Sequence, residues 1–207
     1  MKKFLIAGGN STLLVWNCPS VQRERIVKQY LGEVEQIGFI DKNKLVMMGG
    51  ELCINAIVAL ASQLSTKGIL YASGLDTPIN YVNRKEVTSI QFSLNVAREN
   101  NTILLPGIGF ICTDEDRKVT KRLLSSLAKK YNMPAFGIAI YRDEYLTPYV
   151  FVKETNSLLK ETACGSGSIV TSIAMGISKI KQPTGEYIEV AIKNDKITVS
   201  AQVKEIS

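Results

Sequence analysis

The chain has 207 residues, 45% of them hydrophobic and 21% charged, with a formal net charge of +6 and no histidine. This is ordinary globular usage, sufficient for one domain or two small ones, and it argues against disorder. The absent histidine excludes Ser-His and Cys-His catalysis, imidazole acid-base chemistry and histidine-ligated metal sites, leaving thiols, carboxylates, Lys or Tyr to move protons.

The basic residues are dispersed, with small groups at Arg23 to Lys28, Arg117 to Arg122 and Lys179 to Lys181 beside acids or apolar residues. They read as solvated faces and not as a nucleic-acid surface. No apolar stretch approaches the roughly 18 residues that span a bilayer, so no membrane partner is expected. Four cysteines without CxxC spacing make neither a disulfide scaffold nor a zinc site, and a cytoplasmic protein with reduced thiols is expected.

In chain order, Phe4 to Ala7 and Thr12 to Trp16 read as strands joined by a Gly8-Gly9-Asn10-Ser11 hairpin with Asn10 at its tip. A helix is predicted over Val21 to Tyr30, short strands over Val34 to Ile40 and Lys44 to Met48, and a helix over Ile54 to Leu64. Strands follow at Ile69 to Ser73, Ile79 to Val82 and Val87 to Leu94, then a polar bridge, Ala97 to Asn101, taken as a domain boundary. Beyond it come strands at Thr102 to Leu105 and Phe110 to Thr113. An amphipathic helix is then expected, capped by Thr113 or Asp114, with acids in its first turn and Val119, Leu123, Leu124 and Leu127 at helical spacing. Strands at Phe136 to Tyr141 and Tyr149 to Val152, a helix from Cys164 to about Ile177, and a hairpin of Tyr187 to Ile192 with Lys196 to Val203 complete the chain.

Two cysteines occupy matching contexts 111 positions apart (164 minus 53): Gly49-Gly50-Glu51-Leu52-Cys53-Ile54-Asn55-Ala56 and Glu161-Thr162-Ala163-Cys164-Gly165-Ser166-Gly167-Ser168. Each precedes an apolar helix, which puts each thiol at a helix N-terminus, where the macrodipole and unpaired N–H groups stabilise a thiolate. The repeated order of strands, cysteine, buried helix and strands reads as a duplicated α+β unit with the active site between halves. One thiol on each side of a carbon suits racemisation or epimerisation. Two helix N-termini, with Asn55, Gly165 and Ser166 as donors, would stabilise charge on a substrate carboxylate. Cys18 and Cys112 read as small core residues.

These motifs resemble the diaminopimelate epimerase family. Glu161-Thr162-Ala163-Cys164-Gly165-Ser166-Gly167 is similar to its second cysteine signature, Glu51-Leu52-Cys53-Ile54-Asn55-Ala56 to its first, and Gly8-Gly9-Asn10-Ser11 to its N-terminal loop, whose Asn contacts substrate. The resemblance implies two pseudo-symmetric α+β domains, each a curved, mainly antiparallel sheet around a central helix. The division falls at residues 1–97 and 98–207, with the last strand near 198–207 returning to the first half. It also implies an isomerase without cofactor or metal, in which Cys53 and Cys164 are the acid/base pair. Asn10, Ser11, Asn55, Ala56, Glu154, Glu161, Gly165 and Ser166 are the substrate-binding candidates.

The departures redirect the substrate. Ile54 replaces a glycine, Leu105-Pro106-Gly107-Ile108-Gly109-Phe110 lacks the family's histidine, and Glu154-Thr155 lacks the arginine that holds diaminopimelate's distal group. The chain is also shorter than a typical member. Diaminopimelate is therefore not the expected amino acid, and similarity to the cofactor-independent histidine racemases makes histidine a first candidate. Open alternatives are an isomerase of a non-amino carboxylic acid and a non-catalytic small-molecule binder. A small-molecule partner is expected, and a homodimer is possible.

Overall fold

A computed structural model describes residues 1–206. Strands β1 (Lys2–Ile6) and β2 (Gly9–Trp16), helix α1 (Ser20–Tyr30), strands β3 (Gln36–Asp41) and β4 (Lys44–Met47), helix α2 (Ile54–Ser62), and strands β5 (Lys67–Ala72), β6 (Ile79–Arg84) and β7 (Val87–Ser93) make the first part. The second contains β8 (Ala97–Glu99), β9 (Thr102–Leu105), β10 (Ile108–Thr113), α3 (Lys121–Lys130), β11 (Ala135–Arg142), β12 (Tyr145–Val152), β13 (Ser157–Lys160), α4 (Gly165–Met175), β14 (Lys179–Lys181), β15 (Tyr187–Lys193) and β16 (Lys196–Ile206).

The fold is mixed α+β, with few helices and one continuous path of strands. From β1 to β7 neighbours pair in chain order, and β16 then closes the circuit: Lys196 to Gln202 pair with β7, while Val203 to Ile206 pair with β1. From β16 the path runs on through β15, β14, β12, β11, β10 and β9 to β8, with β13 beside β12. Along β1 to β7 the pairings run antiparallel, parallel, antiparallel, parallel, antiparallel, antiparallel. The same series recurs from β9 to β16. Parallel neighbours need a crossover, and each parallel step is bridged by a helix: α1 and α2 in the first series, α3 and α4 in the second.

Composition decides which helices lie inside. In α2 all residues from Ile54 to Ala61 are buried, and in α4 all from Gly165 to Ser172. A helix without a polar face must be enclosed, and the sheets wrap these two in one core with Phe4, Phe92, Phe110 and Ile188. By contrast α1 has no buried residue and covers Leu13, Ile37 and Phe39 from outside, while α3 buries Leu124 and Ala128 against Phe136 and Phe151. No helix among the described residues is long and apolar enough to cross a membrane.

Several expectations need correction. Asn10 is not a hairpin tip: the turn is Ala7-Gly8, at φ +49° and +70°, and Asn10 lies within β2, fully buried. The third helix begins at Lys121, not after Thr113. Thr113 Oγ1 accepts the Glu115 N–H at 3.1 Å, a local turn that competes with helix, and Thr120 caps the helix by accepting from Leu123. Asp114 to Asp116 and Val119 therefore precede the helix, and its first turn holds no acid. The polar bridge contains β8, whose residues pair with β9. β13 and β14 carried too few residues for a periodic signal.

Candidate active site

Cys53 caps α2 and Cys164 caps α4, both in extended backbone conformation (φ −125° and −142°). Each sulfur faces its own helix: Ala56 donates its N–H to Cys53 Sγ at 3.4 Å, and Gly167 donates to Cys164 Sγ at 3.2 Å. The two N-termini are tied together by Asn55, whose Nδ2 donates to Ala163 O and whose Oδ1 accepts from Gly165 N–H, both at 3.0 Å. Ile54, which stands where the resembled signature has glycine, lies over Gly165. A Cβ there would come within 2.5 Å of Ile54 Cγ2, so bulk lost at one position is filled from the other.

Both thiols line one cavity of about 30 Å3 between the helix starts. Cys53 donates its thiol proton to Gln36 Oε1, and Gln36 Nε2 donates to Glu161 Oε1 at 2.7 Å. Glu161 Oε2 is buried with no nitrogen or hydroxyl donor among the described residues, and the Cys164 thiol also interacts with this carboxyl. Glu51, also in the lining, accepts Gly49 N–H at 2.9 Å. Behind Cys164, the fully buried Gln182 accepts the Cys164 N–H at 2.9 Å and donates to Ser168 and Ile180, which uses its hydrogen-bonding groups and fixes the cap.

The electrostatics differ from the sequence expectation of a stabilised thiolate. Burial pushes both thiols well above the ordinary range, outweighing the helix N–H groups, and the charge of Glu161 acts in the same direction on each. Burial likewise raises Glu161 to about 8 and Glu51 to about 7, against the hydrogen bonds each accepts. The lining contains three carboxyl groups, Glu35, Glu51 and Glu161, and no Lys or Arg. Desolvation of acids with no cation nearby favours their neutral forms.

Of the expected residues, Cys53, Asn55, Glu161, Cys164, Gly165 and Ser166 are brought together around this cavity. Ala56 stands just behind, presenting its N–H to Cys53. Asn10 and Ser11 are one layer removed and hold Glu35: Asn10 Nδ2 donates to its carboxylate at 3.2 Å, and Ser11 Oγ accepts its N–H at 3.0 Å. Glu35 also accepts from the Thr162 N–H and hydroxyl, joining the two halves of the chain. Glu154 is elsewhere, in a neighbouring cavity beside α1.

Glu35, Gln36 and Glu51 were not among the expected site residues. Glu51 stood in the quoted cysteine motif. For Glu35 and Gln36 the available signal was two polar residues inside a run otherwise apolar from Val34 to Ile40, a pattern that marks polar groups entering a core.

No family model matches the chain. It is similar to histidine racemases from two strains of Fusobacterium nucleatum subsp. nucleatum. Strain ATCC 23726 gives 27% identity, covering 96% of this chain and 92% of the relative; strain ATCC 25586 gives 28%, covering 96% and 91%. Among solved structures, a predicted epimerase from Pseudomonas aeruginosa superposes with a TM-score of 0.68 at 7% identity, covering 100% of this chain and 96% of that one. A putative phenazine biosynthesis PhzC/PhzF protein from Clostridium difficile gives 0.62 at 12%, covering 100% and 98%. These structures share the α+β fold.

Proposed function

We propose that the protein is a cofactor-independent racemase or epimerase that inverts the α-carbon of a free amino acid, with Cys53 and Cys164 as the two acid/base groups. The observation that carries this reading is the shared cavity in which each thiol caps one of two buried helices. The substrate carboxylate would lie against the two helix N-termini, where aligned N–H groups meet the charge that develops on deprotonation. One sulfur takes the Cα proton as its thiolate while the other thiol delivers a proton to the opposite face, so the thiols exchange roles with each inversion.

The α-ammonium fits the acid-rich lining, and Glu161, whose buried Oε2 meets no cation or N–H donor, is the group we assign to it. A cation beside Glu161 favours its carboxylate and eases ionisation of the neighbouring thiol. Similarity to the histidine racemases makes histidine the first candidate. We read the recurring strand pairings as two pseudo-symmetric halves, 1–97 and 98–207, with β16 shared between them. Function in the cytoplasm, as a monomer or homodimer with reduced thiols, belongs to the same proposal.

Incubation with single L-amino acids in deuterated water tests it. Deuterium at Cα together with the D-enantiomer is expected, histidine first; a folded, reduced protein that exchanges no amino acid would sink the reading. The second reading, isomerisation of a non-amino acid, is motivated by the likeness to PhzF-type structures. Three carboxyl groups without a cation disfavour a substrate that brings only negative charge. Exchange confined to acids lacking an α-amino group would reverse that preference. If both activities are absent, the non-catalytic binder remains.

A further inference from the structure

The cavity between the thiols, about 30 Å3, has room for about one water molecule, so it must widen to admit an α-carbon with its carboxylate and ammonium and leaves no space for a side chain. A second cavity of about 520 Å3, within the roughly 300–1,000 Å3 typical of small-molecule sites, lies against it. Met48 borders both. Next to it, Gly49 completes the wall: a Cβ there would stand 2.5 Å from Val152 Cγ1, 2.8 Å from Glu51 Oε2 and 3.5 Å from Glu154 Cβ. Val152 and Glu51 line the smaller cavity and Glu154 the larger, so a single layer of chain separates them.

We propose that Met48 and Gly49 form a partition, and that the larger cavity receives the side chain of the amino acid whose α-carbon lies between the thiols. This rests on the racemase reading above. Met48 suits the task because an unbranched thioether repacks at little cost. The pocket beyond it has an apolar lining from Val27, Val46 and Met47.

Two polar groups there are unpaired among the described residues, one buried and one exposed. Arg23 lies 5.1 Å from the Phe39 ring centroid, and its Nε is buried with no hydrogen bond. Glu154 has no ion pair among the described residues, whereas Lys28 and Glu24 neutralise each other at 2.6 Å. An unused donor and an unused acceptor select a side-chain head that both accepts and donates. An imidazole or a carboxamide does so; an ammonium only donates, and a carboxylate only accepts.

The test is the rate of Cα deuterium exchange for L-histidine, L-glutamine, L-lysine, L-glutamate and L-alanine. Wild type is compared with Met48→Trp, which thickens the partition, and Val46→Trp, which fills the larger cavity from another wall. Wild type should favour histidine or glutamine over the other three by about tenfold or more, and either tryptophan should reduce that ratio to within about twofold of unity. An unchanged ratio in a tryptophan variant that melts like wild type overturns the pocket assignment, as does a wild type that exchanges alanine as fast as histidine and glutamine. Silence toward every amino acid is a different result: it removes the racemase reading, and the pocket's role with it.

Discussion

Ile54 and Gly165 interlock across the two helix starts: a Cβ on Gly165 would sit 2.5 Å from Ile54 Cγ2 and 3.0 Å from Asn55 Oδ1. Gly165→Ala should destabilise the protein by about 1–3 kcal/mol, the usual cost of overpacking a filled site, and should slow exchange by moving Cys164. Adding Ile54→Ala should return part of the loss. Thermal melts of the two single variants and the double variant read the coupling, and simple additivity would mean that the two residues do not share the space.

Cys53→Ser and Cys164→Ser should each abolish racemisation, a loss of about 10²–10⁴-fold, as expected for a positioned acid or base. Circular dichroism should show both variants folded. Polarimetry on the substrate found by the exchange assay checks the effect. A single variant that racemises at the wild-type rate would show that its sulfur is not part of the pair.

Stability should fall as pH rises. Glu161 and Glu51 are raised in the folded chain from 4.5 to about 8 and about 7, so between pH 4.5 and 8 the native state holds protons that the unfolded state has released. Their contribution is fully present below pH 4.5 and is lost as pH passes through the raised values. Melting temperature should therefore drop between pH 5 and 8.5 for the ligand-free protein. Glu161→Gln should flatten that drop and raise stability at pH 8.5; an equally steep profile would contradict neutral burial of Glu161.

The Thr162 hydroxyl accepts the Asn10 N–H at 2.6 Å and donates to Glu35, which lines the site. Thr162→Val removes both bonds at a similar shape and should cost about 0.5–1.5 kcal/mol at this exposed position. If those bonds hold the site shut, Cys53 and Cys164 should react faster with a bulky disulfide reagent. An unchanged modification rate would place the control of access elsewhere.

The sequence revealed the two helix starts because each thiol is followed by an unbroken apolar segment, a local signal that burial of α2 and α4 makes meaningful. It also suggested the order of elements. It misplaced Asn10, since a Gly-Gly-Asn-Ser string reads as a turn until tertiary contact with Glu35 and Thr162 holds the asparagine in a strand at φ +37°. Glu35 immediately precedes β3 and Gln36 begins it, far along the chain from the second cysteine motif, and the Gln36–Glu161 bond joins residues 125 positions apart. The missed start of α3 is local in origin: Thr113 closes a turn and leaves Thr120 as the cap.

β16 belongs to the ladders of β7, β15 and β1 at once. A strand paired along both edges cannot slide or peel away without breaking backbone hydrogen bonds, so β16 fastens the first strand of the chain to its last hairpin. Amide exchange in β16 should therefore be among the slowest in the chain, since its hydrogen bonds open only when both flanking ladders do.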